Sequence, residues 1–474
     1  MLQDLRQQYQ DREAFVFLEG RRERKVSYLQ FLEDVEKTSR EYKQIPQKRL
    51  GLWGDNSYSW ICNAAAMLLA GKTLILLDVN LEQEELLGLA GYTDTELLIV
   101  DEDIYDSEDA VRDQIPMMCM EHLKKSGSVC QMEEEGEIIC FTSGTSRSSK
   151  GVVISAEILA GCAEAGVAKF PGNAGERIYL PLPYHHIYGF THIFHILKRG
   201  GIICIGHNRY LKRELECLFP KTALLVPSML QYLMEKDLIP GSLYGIATGG
   251  GMLRTTLAET VETKGIELYN LYGLSETLGE ISAGTGQKGY EWQKPQDGVR
   301  FVLKETGELG IVLPFHLQEY YKKPDDTRKV LNPEKHLLWT GDLAEMDAEG
   351  YVKIKGRMRD TIVLENGEKI HAEDTDAELN LLEGVLEAAV FGVNGKLVAA
   401  IVKEPESSEE KVMNGLKVWN RKKNAYARIT GSWFYQKSFP RTTTGKLKRF
   451  QLEQEYLKFL KEENRTGRED GETE

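Results

Sequence analysis

The chain lacks several features that would have classified it quickly, and each absence excludes something. Nowhere do roughly 18 apolar residues run together, the length a membrane-spanning helix needs. The opening MLQDLRQQYQDREAF is polar and contains no apolar signal segment. A cytoplasmic protein without an integral membrane segment is therefore expected. Positive charge is in deficit: the formal net charge is -14, the wrong sign for neutralising a phosphate backbone, which argues against a nucleic-acid partner. The cysteines, at 62, 119, 130, 140, 162, 204 and 217, form no CxxC pair and no zinc spacing, and read as reduced core thiols. No repeat of solenoid period is present.

What is there is ordinary globular material, with 42% apolar and 28% charged residues in 474. That length holds more than one domain, since domains commonly run to roughly 100–200 residues. Short apolar runs, LILLD (74–78), ELLIVD (96–101), EIICF (137–141), GIICIG (201–206) and ALLVP (223–227), recur between helical patterns, as the buried strands of an α/β protein do. SWICNAAAMLLAGK (59–72) is apolar all round and ends near Gly71, which predicts a helix buried on every side. Near residue 350 the texture changes to shorter units, GYVKIKGRMRD, TIVLENGEKI and the acidic AEDTDAELNLLEG. A boundary is placed there. The fold class expected is α/β: a large N-terminal body of αβ-layered subdomains over residues 1–358 and a small α+β C-terminal cap over 359–474. Its last dozen residues are charged and poor in apolar side chains, as a frayed tail would be.

The most informative segment is FTSGTSRSSKG, Phe141 to Gly151. The strand EIICF delivers the chain into Thr142, Ser143, Gly144 and Thr145, and Lys150 follows. Small residues let backbone N–H groups approach phosphate oxygens, hydroxyls add donors, and Arg147 and Lys150 add positive charge, so polyphosphate is a natural ligand. No GK[ST] follows at the Walker spacing, and VVIS after the loop favours a strand over a helix. Taken alone, the same composition also suits a surface loop.

Further motifs stand in order along the chain: LPYHHIY (182–188), GGG (249–251), YGLSET (272–277), WTGD (339–342), GRMRD (356–360) and RTTTGK (441–446). Together with the loop they resemble the adenylate-forming family of acyl-CoA synthetases, luciferases and peptide-synthetase adenylation domains, whose loop reads roughly TSGTTGxPKG. The resemblance covers nearly the whole chain and implies ATP-dependent conversion of a carboxylic acid to an acyl adenylate with Mg²⁺, followed by transfer to a thiol. By it, the loop residues hold the phosphates, Gly249, Gly250 and Gly251 line the adenine and acyl group, and Tyr272 lies against adenine with Gly273 beside it. Ser275 comes near the α-phosphate and Glu276 binds Mg²⁺. Asp342 and Arg357 take the ribose hydroxyls, and His186 stands at the mouth of the acyl pocket. Lys446 bridges carboxylate and α-phosphate, in a segment where Pro440, Thr442, Gly445 and Lys446 fit the family's PxTxxGK. A mobile cap hinged at Arg359, with Gly367 lining a thiol tunnel, completes the implied machine.

For the acid, the region HHIYGF carries no carboxylate to hold an ammonium, which disfavours amino acids. IVLENGEKIHAEDTDAEL (362–379) and RTTTGKLKR resemble bacterial long-chain acyl-CoA synthetases, implying a fatty acid, with an aryl acid as the alternative. CoA is the expected acceptor, and the phosphopantetheine of an acyl carrier protein the second. Arg147 and Ser149 depart from the family's loop, and the segment between Thr285 and Asp297 looks abbreviated, which keeps a non-catalytic acyl- or nucleotide-binding relative in view.

Overall fold

The computed structural model describes residues 2–122, 136–142, 150–165, 171–365, 368–441 and 447–469. Two large sheets form the body. In the 14-stranded sheet, the strands Glu13–Glu19, Ile202–Ile205, Arg177–Leu180, Thr222–Leu225, Gly245–Thr248 and Glu267–Leu274 lie side by side and parallel. From Glu267–Leu274 onward the direction alternates, through Gly279–Gly284, Trp292–Pro295, Val352–Arg357, Leu337–Met346, Glu308–Val312 and Arg300–Leu303. The seven-stranded sheet has a parallel middle, with Arg49–Trp53, Thr73–Leu77, Leu97–Val100 and Glu137–Phe141, and an antiparallel edge at Gly151–Ser155 and Glu319–Tyr320.

Strands with two covered faces show no alternation, because both sets of side chains leave water. Leu74 and Leu76 join the main body core, while Ile75 and Leu77 join a second core under the helix Gln83–Tyr92. The expected all-apolar helix runs Tyr58–Leu69, with Trp60 to Leu68 buried without a break. Ser57 caps it by accepting from the Trp60 N–H at 2.9 Å, and Gly71 leaves it at φ 72°.

The cap begins after the strand Val352–Arg357 and has cores of its own. Its sheet of Val385–Val393, Lys396–Lys403 and Ile429–Phe434 alternates cleanly: Leu397, Ala399 and Ile401 face the helices Ala372–Leu379 and Glu409–Arg421, and Val398 and Ala400 face the helix Arg449–Glu469. Arg449 ties two of these elements together, its Nη2 lying 2.7 Å from Asp376 Oδ2. The architecture is thus the expected α/β body with a smaller C-terminal domain. No helix among the described residues is long and apolar enough to cross a membrane.

Candidate active site

Parallel strands direct their C-terminal ends, and the loops that follow, toward one edge of a sheet, and ligands collect where the strand order or direction switches. Here Gly245–Thr248 runs out into Gly249–Gly251, and Glu267–Leu274 runs into the short turn Ser275–Thr277 before the first antiparallel partner. Thr277 fixes that turn: its hydroxyl accepts from the Leu274 N–H at 2.9 Å and donates to the Gly279 carbonyl at 2.8 Å. Leu278 completes the reversal at φ 59°. At Gly273 a side chain is impossible, since a Cβ would stand 1.9 Å from the Gly279 carbonyl oxygen.

A cavity of about 270 Å³ opens at this junction, lined by Thr142, Lys150, His186, Tyr188, Gly249, Gly250, Gly273, Ser275, Glu276, Glu280, Tyr320, Thr340 and Arg357, among others. Residues from six separate motifs therefore meet in one place. Depressions of about 530 and 700 Å³, around Asn208–Arg213 and around Tyr269 and Tyr290, contain none of the motif residues.

On one wall, Asp342 and Arg357 are cross-strand partners in an antiparallel pair, with Arg357 Nε 3.1 Å from Asp342 Oδ1. The Tyr272 hydroxyl donates to Asp342 Oδ2 at 2.7 Å. Thr340 orients the aspartate by accepting from its backbone N–H at 3.0 Å while donating to the Leu309 carbonyl. Burial pushes the Tyr272 phenol well above its ordinary range, and the neighbouring Asp342 charge adds to that. Burial alone would lower Arg357, but the Asp342 carboxylate more than compensates and raises it. This carboxylate, cation and phenol offer acceptors and donors suited to a vicinal diol.

On the opposite wall, Glu276 Oε1 accepts from the Tyr320 hydroxyl at 2.6 Å, and Lys150 Nζ lies 4.5 Å from the centre of the Tyr320 ring and 3.1 Å from Asp326 Oδ2. Thr142 and Lys150 close the base of the phosphate-type loop, the Thr142 N–H donating to the Lys150 carbonyl at 3.0 Å. Ser143, Gly144, Thr145 and Arg147 lie outside the described residues, as do Lys446 and Gly367. Arg441 and Leu447, on either side of the 442–446 segment, pair as a β-bridge. The backbone of Arg359 forms part of the turn Met358–Asp360 between body and cap.

His186 caps the helix Ile187–Lys198, its Nδ1 accepting from the Tyr188 N–H at 3.2 Å. In the neutral ring the proton is therefore on Nε2. His185 instead faces Asp78, 3.4 Å away. Gly249 packs closely, a Cβ there meeting the Leu271 carbonyl at 3.1 Å and the Tyr188 hydroxyl at 3.2 Å. Gly250 has a positive φ of 78°, where a Cβ would make only ordinary contacts with Val226 and Tyr188, and Gly251 lies exposed outside the cavity lining.

The sequence reading missed Tyr320, Asp326, Thr340, Tyr188 and a buried cluster of Glu280, His192 and His195. Tyr320 and Asp326 reach the site through a sheet edge that pairs Glu319–Tyr320 with Val152 and Val153, a contact no local pattern announces. The cluster did leave a signal: THIFH places two histidines three residues apart in an otherwise apolar helix.

A model of the AMP-binding enzyme family matches residues 2–300, and one of the AMP-binding enzyme C-terminal domain matches residues 359–463. The chain belongs to the AMP-binding enzyme family. This AMP-binding enzyme is 26% identical over 470 residues to a 2-succinylbenzoate–CoA ligase of Bacillus cereus, covering 91% of this chain and 94% of the relative. A long-chain-fatty-acid–CoA ligase of Mycobacterium tuberculosis is 25% identical over 350 residues, 68% of each chain. In fold, the enzyme is similar to the o-succinylbenzoate CoA synthetase of Bacillus subtilis solved with an acyl-adenylate intermediate, with a TM-score of 0.83, 19% identity, and coverage of 95% and 97%. The adenylate-forming resemblance and the expectation of an AMP-forming ligase stand.

Proposed function

We propose that this enzyme activates an aromatic carboxylic acid with ATP and Mg²⁺, releasing pyrophosphate, and passes the acyl group from the adenylate to the thiol of CoA. The observation that carries the reading is the convergence of Thr142, Lys150, His186, Ser275, Glu276 and Arg357 on one cavity, with Asp342 bonded to Arg357 and Tyr272 beside its lining. A carboxylate is a poor acyl donor because oxide leaves badly, and AMP is a far better leaving group. Such phosphoryl chemistry depends on positioned charge more than on a protein nucleophile.

The roles are those the family resemblance implies, and the meeting of Thr142, Lys150, His186, Ser275, Glu276 and Arg357 in one cavity supports them. Asp342 and Arg357 receive the ribose hydroxyls, and Tyr272 covers the adenine with Gly249 to Gly251 and Gly273 leaving room for it. Thr142, Lys150, Ser275 and the loop's Ser143, Gly144 and Thr145 hold the phosphates. Glu276 offers the hard oxygen ligand that Mg²⁺ prefers, and the metal would neutralise phosphate charge there. His186 presents its Nε2 proton at the acid's entrance. Lys446 arrives from the cap to bridge the two reacting anions, and Arg359 and Gly367 serve the hinge and thiol passage of a second cap position.

The fatty-acid expectation yields first place to its alternative. The relative matched along nearly the whole chain acts, by its name, on an aryl acid, while the fatty-acid ligase matches over two-thirds.

The test is pyrophosphate release with ATP and Mg²⁺ over a panel of benzoates and of C8 to C16 fatty acids, with and without CoA. Preference for the benzoates is expected. Efficient turnover of the fatty acids alone would overturn the aryl reading, and acid-dependent release with no CoA consumption would replace CoA by a carrier protein.

A further inference from the structure

Glu280 lies in the strand Gly279–Gly284, three positions past the turn Ser275–Thr277 that presents Glu276, and it lines the same cavity while 5% exposed. Its Oε1 is engaged by His195 Nδ1 at 3.1 Å. Its Oε2 faces His192 Nε2 at 3.4 Å. That second contact is of an unusual kind. His192 Nδ1 lies 2.7 Å from the Tyr188 carbonyl, which can only accept, so Nδ1 carries the proton and, in a neutral ring, Nε2 presents a lone pair to the carboxylate. Burial holds His192 below its ordinary pKa and so favours that neutral ring.

Oε2 is thus a wholly buried anionic oxygen with no hydrogen-bond donor among the described residues. Tyr188 is also among the residues lining the cavity, and its hydroxyl is likewise buried with no hydrogen-bond partner among them. It lies close enough for the Glu280 charge to help raise its pKa after burial. A buried acceptor left without a donor is costly, and so is a buried hydroxyl left without a partner. Two such groups on the wall of a substrate cavity are most simply completed by the substrate.

We propose that the acid bound here carries an uncharged hydrogen-bond donor, a hydroxyl or aryl amine, on the end remote from its carboxylate, received by Glu280 Oε2 and Tyr188. Charge balance selects the neutral donor. Glu280 and His195 already make one complete buried ion pair, so a second carboxylate on the substrate would meet an anion with no further cation, and an ammonium would compete with His195. A plain alkyl or phenyl end would leave Oε2 dry and unbonded. This inference rests on the acid-activating reading above but not on the acid's being aromatic.

The test compares matched pairs: benzoate with its 3- and 4-hydroxy and 4-amino derivatives, and hexanoate with 6-hydroxyhexanoate, each by kcat/KM for pyrophosphate release. In whichever series the enzyme turns over, a donor-bearing member should exceed its parent by on the order of 10- to 100-fold. Parents equal to or better than every donor-bearing partner would overturn the proposal. Failure of the whole benzoate series beside active hexanoates would instead overturn the aryl reading, leaving the hexanoate pair to decide this one. Glu280→Gln and, should that variant not fold, Tyr188→Phe are each expected to shrink the ratio. An undiminished ratio in the folded variants counts against the assignment. Stoichiometric divalent metal retained by the purified enzyme after dialysis would also overturn it, because His192, His195 and Glu280 would then be holding an ion.

Discussion

Asp342 and Glu280 make an instructive pair. Each is a carboxylate on an antiparallel strand beside the cavity, 2% and 5% exposed respectively, and each is held by a cation from a neighbouring element. Asp342 is paired with Arg357, whose guanidinium keeps its charge across the accessible pH range. Glu280 is paired with a histidine that does not. The end of the cavity assigned to the nucleotide is therefore wired for constancy, and the end assigned to the acid is built from groups that titrate. The difference lies in the partner.

The largest expected effect asks whether both ends are idle without the cap. Lys446→Ala should lower adenylation on the order of 100- to 1,000-fold while leaving thioester formation from a supplied acyl adenylate largely intact. Equal loss of both half-reactions in single-turnover assays would contradict it. Next in size, Asp342→Ala should cost about 1.5–3 kcal/mol of nucleotide binding, or ~10- to 100-fold in kcat/KM for ATP, with little change in the KM for the acid. A variant that weakens the acid as strongly as ATP would erase the distinction between the two ends. Glu276→Ala should then raise the Mg²⁺ concentration needed for half-maximal rate on the order of 10-fold, and an unchanged Mg²⁺ titration would remove Glu276 from the metal site.

The smallest effect is in pH dependence. Burial alone would raise Glu280 and lower His195, but for Glu280 the charges of His192 and then His195, with the His195 hydrogen bond, outweigh it, and for His195 the Glu280 charge and the hydrogen bonds to Cys162 and Glu280 do. Glu280 is held down to about 2 and His195 up to about 10. The sign follows from linkage. His195's contribution is fully present below its ordinary 6.5 and is lost as pH rises toward about 10, and that of Glu280 is present above 4.5 and lost as pH falls toward about 2. Thermal melts of wild type should therefore lose stability between pH 6.5 and 10 more steeply than those of Glu280→Gln. Parallel curves would show that the pair does not set the slope.

The two carboxylates also differ in how visible they were. Asp342 sits in WTGD, a short motif whose spacing from GRMRD could be read directly, and it pairs across one hairpin with Arg357. Glu280 follows YGLSET as an unremarkable glutamate. Its partners are contributed by a helix that ends 82 residues earlier, at Lys198, and nothing in the intervening chain links them.

The amino-acid order by itself determined the α/β class, an all-apolar helix within 59–72, the change of texture near residue 350 and the motifs that mark an adenylate-forming enzyme, because all of these depend on neighbours within a few residues. The tertiary structure decided what stands opposite what. It placed Tyr320 under Lys150 and against Glu276, put Thr340 behind Asp342, and brought Glu280 to His192 and His195 in the cavity wall. Those pairings span sheets and depend on register and crossover, which no local pattern encodes.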